Sequence, residues 1–327
     1  MDMRVKDFDD YRVPNRKPWI ALPILLVIGG LVYFFVLRDE SREAPSSDEV
    51  SSDRAIPATS DASKIENDSK ETAAKQILPP VHATGDVAAL IATGDKLVAE
   101  DSLYEARLKY LAALKVASDS SVKNTIEKKL APIDIKMVLS PRMMPEKIDY
   151  VVKRGDSLAR IAHKFGTTVD LIQKNNMLRN PNRINVGDRL RIFTGKFSMV
   201  CSKSRHDLVV NMNGDFFKRY KVATGKFGKT PAGTFVIREK IKEPPWWRPD
   251  GTVIPFGNKK ENILGTRWMS LKATGDTPDV RGYGIHGTWS AESVGKDASA
   301  GCLRMKNPEV EELFIYVPLK TPLKIIE

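Results

Sequence analysis

Residues 20–37, IALPILLVIGGLVYFFVL, carry no charge, and this run limits what the chain can be more than any other feature. As a helix rising about 1.5 Å per residue it would reach roughly 27 Å, close to the thickness of a hydrocarbon core. It reads as one transmembrane helix. Arg4, Lys6, Arg12, Arg16 and Lys17 precede it, and Trp19 and Tyr33 stand where interfacial aromatics would lie, so residues 1–19 are expected in the cytoplasm. A cleaved signal peptide is the competing reading, but Arg-Asp-Glu-Ser-Arg-Glu follows Leu37, with no small-x-small site directly after the run. The expectation is a single-pass protein of the cytoplasmic membrane, N-terminus in, with the rest of the chain in the periplasm or cell-wall space.

Residues 38–83 read as a flexible linker. They are rich in Ser, Ala, Asp and Glu, and too poor in large apolar residues to offset the entropy of ordering. As a coil the linker spans roughly 35 to 40 Å. It is acidic, with ten Asp/Glu against five Lys/Arg over residues 39–82, whereas residues 197–327 carry twenty-one Lys/Arg against fourteen Asp/Glu. A basic outer half suits nucleic acid, anionic lipid or a carboxylate-rich polymer, and charge alone does not choose among them. Residues 84–140 turn helical, with Leu90, Leu97, Tyr104, Leu108, Leu111, Leu114, Ile126 and Leu130 at three- and four-residue steps. Three short helices fit. Leu90, Gly94, Leu97, Ala106, Tyr110 and Ala113 fall on the spacing of one tetratricopeptide (TPR) unit, which this stretch resembles. A lone unit cannot bury its own face, so it packs on its neighbours or extends the linker, and a helical segment with no ligand of its own is the favoured reading.

Residues 148–194 follow a β-α-α-β order. Tyr150-Val151-Val152 makes a strand, Lys153-Arg154-Gly155-Asp156 a turn, and residues 157–165 a helix stopped by Gly166. A second helix runs from near Thr168 to about Asn175, and residues 189–192 form the closing strand. Asp156 and Ser157 are both candidates to accept hydrogen bonds from the free N–H groups of the first helix. YVVKRGDSLARIAHKFGTTVDLIQKNNMLRNPNRINVGDRLRIF closely resembles a LysM module. That resemblance implies binding to the N-acetylglucosamine-containing glycan strands of peptidoglycan or chitin, through the loop at Gly155, Asp156, Ser157 and Leu158 and the loop around Pro181 to Ile184. For Gly155 and Asp156 a plain turn-and-cap role is equally compatible with the residues.

Beyond Phe197 short alternating apolar runs are broken by Gly, Asn and Pro, which predicts a mostly β domain over residues 197–327, with a tight hairpin at Asn213-Gly214 and a turn at Thr230-Pro231-Ala232-Gly233. Its chemistry gathers in Gly284-Ile285-His286-Gly287-Thr288 and in Ser299-Ala300-Gly301-Cys302-Leu303-Arg304, whose cysteine lies sixteen residues after the histidine. A thiol becomes a nucleophile when a base or cation lies beside it, and His286 can be that base. Gly301 lets the backbone turn sharply beside Cys302, and a carbonyl such as that of Gly287 can orient the imidazole. The residues describe a cysteine acyl-transfer site.

Together with Tyr220-Lys-Val-Ala-Thr-Gly225, Thr230-Pro-Ala-Gly233 and Asn262-Ile-Leu-Gly265, these motifs resemble the YkuD-type L,D-transpeptidase catalytic domain. Two positions depart from the family pattern: Ala300 replaces a usual histidine and Ile263 a usual proline. Altered local packing is expected at Ala300. The resemblance implies peptidoglycan stem peptides as substrates, Cys302 as nucleophile, His286 with Gly287 as base and orienter, and 3→3 cross-links through a thioacyl-enzyme. It implies a role for Gly301 and Ser299 in the oxyanion loop and for Arg304 and Tyr283 in substrate binding, with bracing of the Cys302 loop the equal alternative for Arg304. L,D-carboxypeptidase activity and a non-catalytic peptidoglycan-binding membrane anchor are the alternatives. Pro244-Pro245-Trp246-Trp247 is a candidate lid or wall, although such aromatics more often pack.

Three other signals fail their context. Gly282-Tyr-Gly284-Ile-His-Gly287 matches G-x-G-x-x-G, but Thr-Trp-Ser follows instead of an apolar-periodic helix. Cys201, His206, His286 and Cys302 lack any zinc-site spacing, so no metal or cofactor is expected. Nucleic acid has only the charge in its favour. His163 reads as a surface residue of the LysM-like helix. The expected architecture is multidomain: a transmembrane helix, a disordered stalk, a small all-α TPR-like segment, a β-α-α-β LysM module and a mostly β YkuD-like catalytic domain.

Overall fold

Three helices open residues 86–327, the part of the chain that this computed structural model describes: α1 Val87–Ala99, α2 Leu103–Val116 and α3 Ser120–Val138. The transmembrane run and the linker expected at 20–37 and 38–83 lie outside the described residues. Among those that are described, no helix is long and apolar enough to cross a membrane. Asp86 caps α1 by accepting from the Ala88 N–H, and Asp119 caps α3 through the N–H groups of Ser121 and Val122, at 2.8 and 3.0 Å. Between α2 and α3 the apolar stripe of Leu103, Tyr110, Leu111, Ile126, Leu130 and Met137 is buried. One ion pair shares that interior, with Arg107 Nε donating to Asp134 Oδ1 at 2.6 Å. The segment packs on its neighbour. Its apolar residues join the core of the sheet described below, and Arg219 of that sheet grips Glu127 of α3 through two bonds of 2.8 Å. An amphipathic three-helix unit this small has no other way to cover its outer face.

The next unit is β1 Lys147–Val151, α4 Leu158–Phe165, α5 Val169–Asn176 and β2 Arg189–Phe193, with β1 and β2 antiparallel and Tyr150 opposite Leu190. Ser157 caps α4 by accepting from the Arg160 N–H, and Thr168 caps α5 by accepting from the Leu171 N–H at 2.9 Å. Gly166, at φ +64°, ends α4 in the left-handed conformation. Asp156 does not share the capping role. Its carboxylate accepts from the Lys153 N–H and from Tyr150 Oη, both at 2.8 Å, because the turn folds it back over the strand it has just left. Lys147 enters β1 with Nζ donating to the carbonyls of Met137, Ser140 and Arg142, which closes the exposed end of α3.

The remaining strands are β3 Phe197–Ser202, β4 Asp207–Met212, β5 Asp215–Lys221, β6 Thr224–Gly225, β7 Gly233–Lys242, β8 Trp246–Trp247, β9 Val253–Ile254, β10 Arg267–Thr274, β11 Gly284–His286, β12 Asp297–Ser299, β13 Leu303–Arg304 and β14 Pro322–Ile326; one helix, α6 Asn307–Tyr316, falls among them. Eight make a mixed sheet in the order β13-β11-β10-β7-β14-β3-β4-β5, with β11/β13 and β14/β3 parallel and the rest antiparallel. Asn213 and Gly214, both at positive φ, form the tight β4–β5 turn. One sheet face buries Met199, Phe235, Ile237, Met269, Ile285 and Leu303 in the same core as Val310, Leu313 and Phe314 of α6. The other face, at the β10–β11–β13 end, carries the candidate site residues His286 and Arg304.

Candidate active site

Alternation along a strand sends His286 to the face opposite Ile285. Ile285 pairs with Leu303 and His286 with Arg304, so the parallel β11/β13 ladder sets the histidine beside the strand that Cys302 leads into. The Met305 N–H donates to the His286 carbonyl at 2.8 Å and fixes that register. Cys302 itself sits on a turn made rigid by its neighbours. Ser299 Oγ donates to the Cys302 carbonyl at 2.7 Å and accepts from the Gly301 N–H at 2.9 Å. Thr230 Oγ1 donates to the Gly301 carbonyl at 2.8 Å and accepts from the Gly225 N–H at 2.7 Å. Gly301 has φ +137°, and a Cβ there would lie 2.5 Å from the Tyr283 ring, so no other residue fits without moving that ring.

His286 is 2% exposed, and its Nδ1 lies 2.6 Å from the Gly287 carbonyl. A carbonyl only accepts, so Nδ1 carries the proton and Nε2 keeps its lone pair. Burial drives the imidazole pKa down to about 4, against the carbonyls of Gly287 and Leu264, which favour a protonated ring, and with a smaller push from the Arg304 charge. The half-buried Cys302 thiol donates from Sγ to the Gly282 carbonyl at 3.6 Å. Burial raises its pKa, while a hydrogen bond from Gly284 and the Arg304 charge pull the other way. Both groups are therefore neutral near pH 7: a thiol and an imidazole with one free lone pair, not a standing ion pair. Arg304 Nε is shielded from water and has no hydrogen-bond partner among the described residues.

Cys201 is a different thiol. It is fully buried in β3, where burial pushes it up to about 12, and both cysteines are free. Tyr283 stands against Gly301 at the edge of the site, and its carbonyl accepts from the Leu271 N–H. Ala300 is exposed, so the packing change expected beside the thiol does not arise: its side chain faces solvent and leaves no hole. Trp246 and Trp247 form the β8–β9 hairpin with Ile254 and Val253, and Trp247 is two-thirds exposed instead of packed. Thr230 and Gly225 are site residues that the sequence reading treated only as turn and motif positions. The Thr-Pro-Ala-Gly signal marks a turn, and nothing local reveals that its hydroxyl reaches the carbonyl of a residue 71 positions on.

In the smaller unit, Gly155 is exposed at φ +83°, Ser157 and Asp156 are committed to cap and turn, and Leu158 is 2% exposed in the unit's core. The Leu158 side chain is thus removed from any ligand, because the first turn of α4 needs it against Ile161 and Ile172. Pro181 and Ile184 are partly buried on the second loop. Paired bonds of 2.9 Å between Val152 and Gly187 and between Val152 and Asp188 bring both loops to one end of the two-stranded sheet.

Residues 196–325 match the family of L,D-transpeptidase catalytic domains named YkuD, and residues 150–193 match the LysM domain family. Two proteins of Bacillus subtilis (strain 168) named for L,D-transpeptidase activity are similar to the chain. YqjB is 39% identical over 130 residues, covering 39% of this chain and 70% of that protein. YkuD is 32% identical over 186 residues, covering 54% of this chain and 98% of that protein. Among solved structures, an L,D-transpeptidase from Mycobacterium smegmatis overlaps at a TM-score of 0.31 and 18% identity, over 44% of this chain and 65% of that one, too slight an overlap to add to the assignment. On its identity to the two Bacillus proteins and the share of each that it spans, the chain belongs to the YkuD-type L,D-transpeptidase family, with a LysM domain ahead of its catalytic domain.

Proposed function

We propose that the protein is a peptidoglycan L,D-transpeptidase that forms 3→3 cross-links between stem peptides through a Cys302 thioester. The observation that carries this reading is the neutral His286 imidazole, its Nδ1 proton held by the Gly287 carbonyl, beside a thiol-bearing turn and an unpaired Arg304. As Cys302 Sγ attacks the carbonyl carbon of the L,D-amide in a donor tetrapeptide, its proton passes to His286 Nε2. The same proton then goes to the departing amine of D-alanine, the C–N bond breaks, and the acyl group remains as a thioester. The side-chain amine of a diamino acid on a second stem attacks that thioester, gives its proton to Nε2 and releases the thiol. Arg304 is suited to a stem carboxylate, since a substrate anion would supply the partner that the protein withholds. Gly301 and Ser299 shape the turn where the oxyanion develops, and Tyr283 walls it.

In this reading the LysM domain holds the glycan at Gly155, Asp156, Ser157, Pro181 and Ile184, chiefly through backbone amides and exposed edges. That raises the concentration of attached stems near Cys302. The uncharged run 20–37 would anchor the chain with its catalytic part outside the cytoplasm. The test is incubation of the full chain with purified tetrapeptide muropeptides and mass spectrometry of the products. Cross-linked 3→3 dimers that vanish in Cys302→Ala are the expected result. Dimers that persist in that variant would remove the nucleophile from this scheme, release of D-alanine without dimers would make the protein a carboxypeptidase, and neither product would leave a wall-binding anchor.

A further inference from the structure

Two glycines from separate motifs meet behind His286. Gly265 closes the turn ahead of β10 at φ +63°, and Gly287 follows His286 out of β11. A Cβ on Gly265 would strike the Gly287 peptide, with the Thr288 nitrogen at 2.6 Å. A Cβ on either glycine would also strike Asn307 Oδ1. That oxygen fills the space where two side chains would otherwise stand, and only glycine at both places lets the two backbones and the amide come this close.

Asn307 is half-buried and is the first residue of α6, just past the β13 strand that follows Cys302. Its Oδ1 accepts from the Thr266 N–H at 3.1 Å and, at the longer distance of 3.5 Å, from Thr266 Oγ1. Thr266 belongs to the short segment that carries Leu264, whose own N–H donates to Asn262 Oδ1 at 2.9 Å. The carbonyls of Leu264 and Gly287 both face the imidazole, and that of Gly287 accepts the Nδ1 proton at 2.6 Å. Both carbonyls therefore hang from backbone that converges on one side-chain oxygen. The bonds of Asn307 go to Thr266, so its influence on the ring passes through that backbone.

We propose that Asn307 is a positioning residue for the His286 base: its side-chain oxygen fixes the Gly265 turn against Gly287 and so aims the Leu264 and Gly287 carbonyls at the imidazole. The proposal rests on the assignment of His286 as base above and deepens it. With both carbonyls in place Nδ1 keeps its proton, and Nε2 is the free lone pair that takes the proton of the thiol. The same carbonyls stabilise the imidazolium that forms as this proton arrives. A loosened Gly265 turn would let the ring adopt either tautomer, and only one of them can accept a proton at Nε2.

The test uses the full chain carrying Asn307→Ala or Asn307→Asp, read in two ways. Nitrogen-15 NMR of the His286 ring, identified by its loss in His286→Gln, gives tautomer and titration without any substrate. Steady-state kinetics on a tetrapeptide donor gives kcat, KM and their pH profile. Asn307→Ala should turn a single Nδ1–H tautomer into a mixture and lower kcat by about 10- to 100-fold with KM nearly unchanged. Asn307→Asp keeps the accepting oxygen, so it should keep the single tautomer and most of the kcat at neutral pH. Its carboxylate, favoured in the ionised form at the first residue of a helix, should raise the imidazole pKa by about one pH unit and move the acid limb of kcat/KM with it. A wild-type ring signal or a wild-type kcat in Asn307→Ala would overturn the proposal, and so would equal losses in the two variants, which mark packing alone. Should Asn307→Ala not fold, an unshifted ring titration in Asn307→Asp overturns it. Because the ring signals need no turnover, a wild type that forms no product would sink the acyl-transfer reading while they still decide the role of Asn307.

Discussion

Cys302 and His286 hold their protons in the reverse of the order that a preformed thiolate–imidazolium pair requires, and this fixes how the site responds to pH. With the thiol raised by burial, the thiolate fraction of the resting protein grows only as pH climbs through the alkaline range. Alkylation of Cys302 by iodoacetamide is therefore expected to keep accelerating above pH 8, and a plateau already reached by pH 7 would show a standing thiolate instead. Cys201 should stay unlabelled in the folded protein, since burial both shields it and pushes its pKa up. For His286 the sign runs toward acid lability. Its folded pKa of about 4 lies below its ordinary 6.5, so the unfolded chain binds more protons between those values. Stability falls as pH drops through that window, by on the order of 3 kcal/mol. His286→Gln should flatten this part of the stability–pH curve measured by urea unfolding, and an unchanged curve would mean that other groups set it.

At the scale of the element, the two buried ends of the Arg107–Asp134 pair illustrate how a contact can be tight and still contribute little. Burial raises the Asp134 carboxyl to about 7 even though Arg107 opposes that shift, and Asp134 Oδ2 has no partner among the described residues. Arg107→Ala is expected to cost about 3 to 5 kcal/mol by stranding the carboxylate, whereas Arg107→Met with Asp134→Leu should fall within about 1 kcal/mol of the wild type. Equilibrium denaturation of the three proteins checks both; comparable losses in the single and double variants would show that the pair is a true net stabiliser. The helix caps belong to this scale as well. The Ser157 cap was readable in sequence because a cap acts within three residues. For the Asp156 carboxylate two local uses, cap and turn, compete in the sequence, and Tyr150 across the turn decides between them.

Across residues 86–327 one apolar cluster runs from Leu103 and Leu130 through Leu171 and Phe193 to Phe217, Phe235 and Tyr316, while the LysM domain adds a small core of its own around Ile161 and Ile192. A shared core predicts shared melting. Calorimetry of the full chain should give a single transition for these parts, and hydrogen exchange should show α3 and β5 opening together; separate melting of the helical segment would contradict the continuity of the cluster. Arg219→Ala, which frees Glu127 of α3, should weaken that coupling first. The sequence by itself determined the three helices, the β-α-α-β order and the tight turn at Asn213-Gly214, since these depend on periodicity, caps and turn residues that act over a few positions. It also pointed to the residues proposed to bear the chemistry, because His286, Gly301, Cys302 and Arg304 lie in short motifs. Only the tertiary structure decided that the helical segment docks on the catalytic sheet and that Thr230 braces the Cys302 turn. It alone decided that Ala300 faces water. Each of these depends on strand order and register, which join residues tens of positions apart and leave no local trace in the chain.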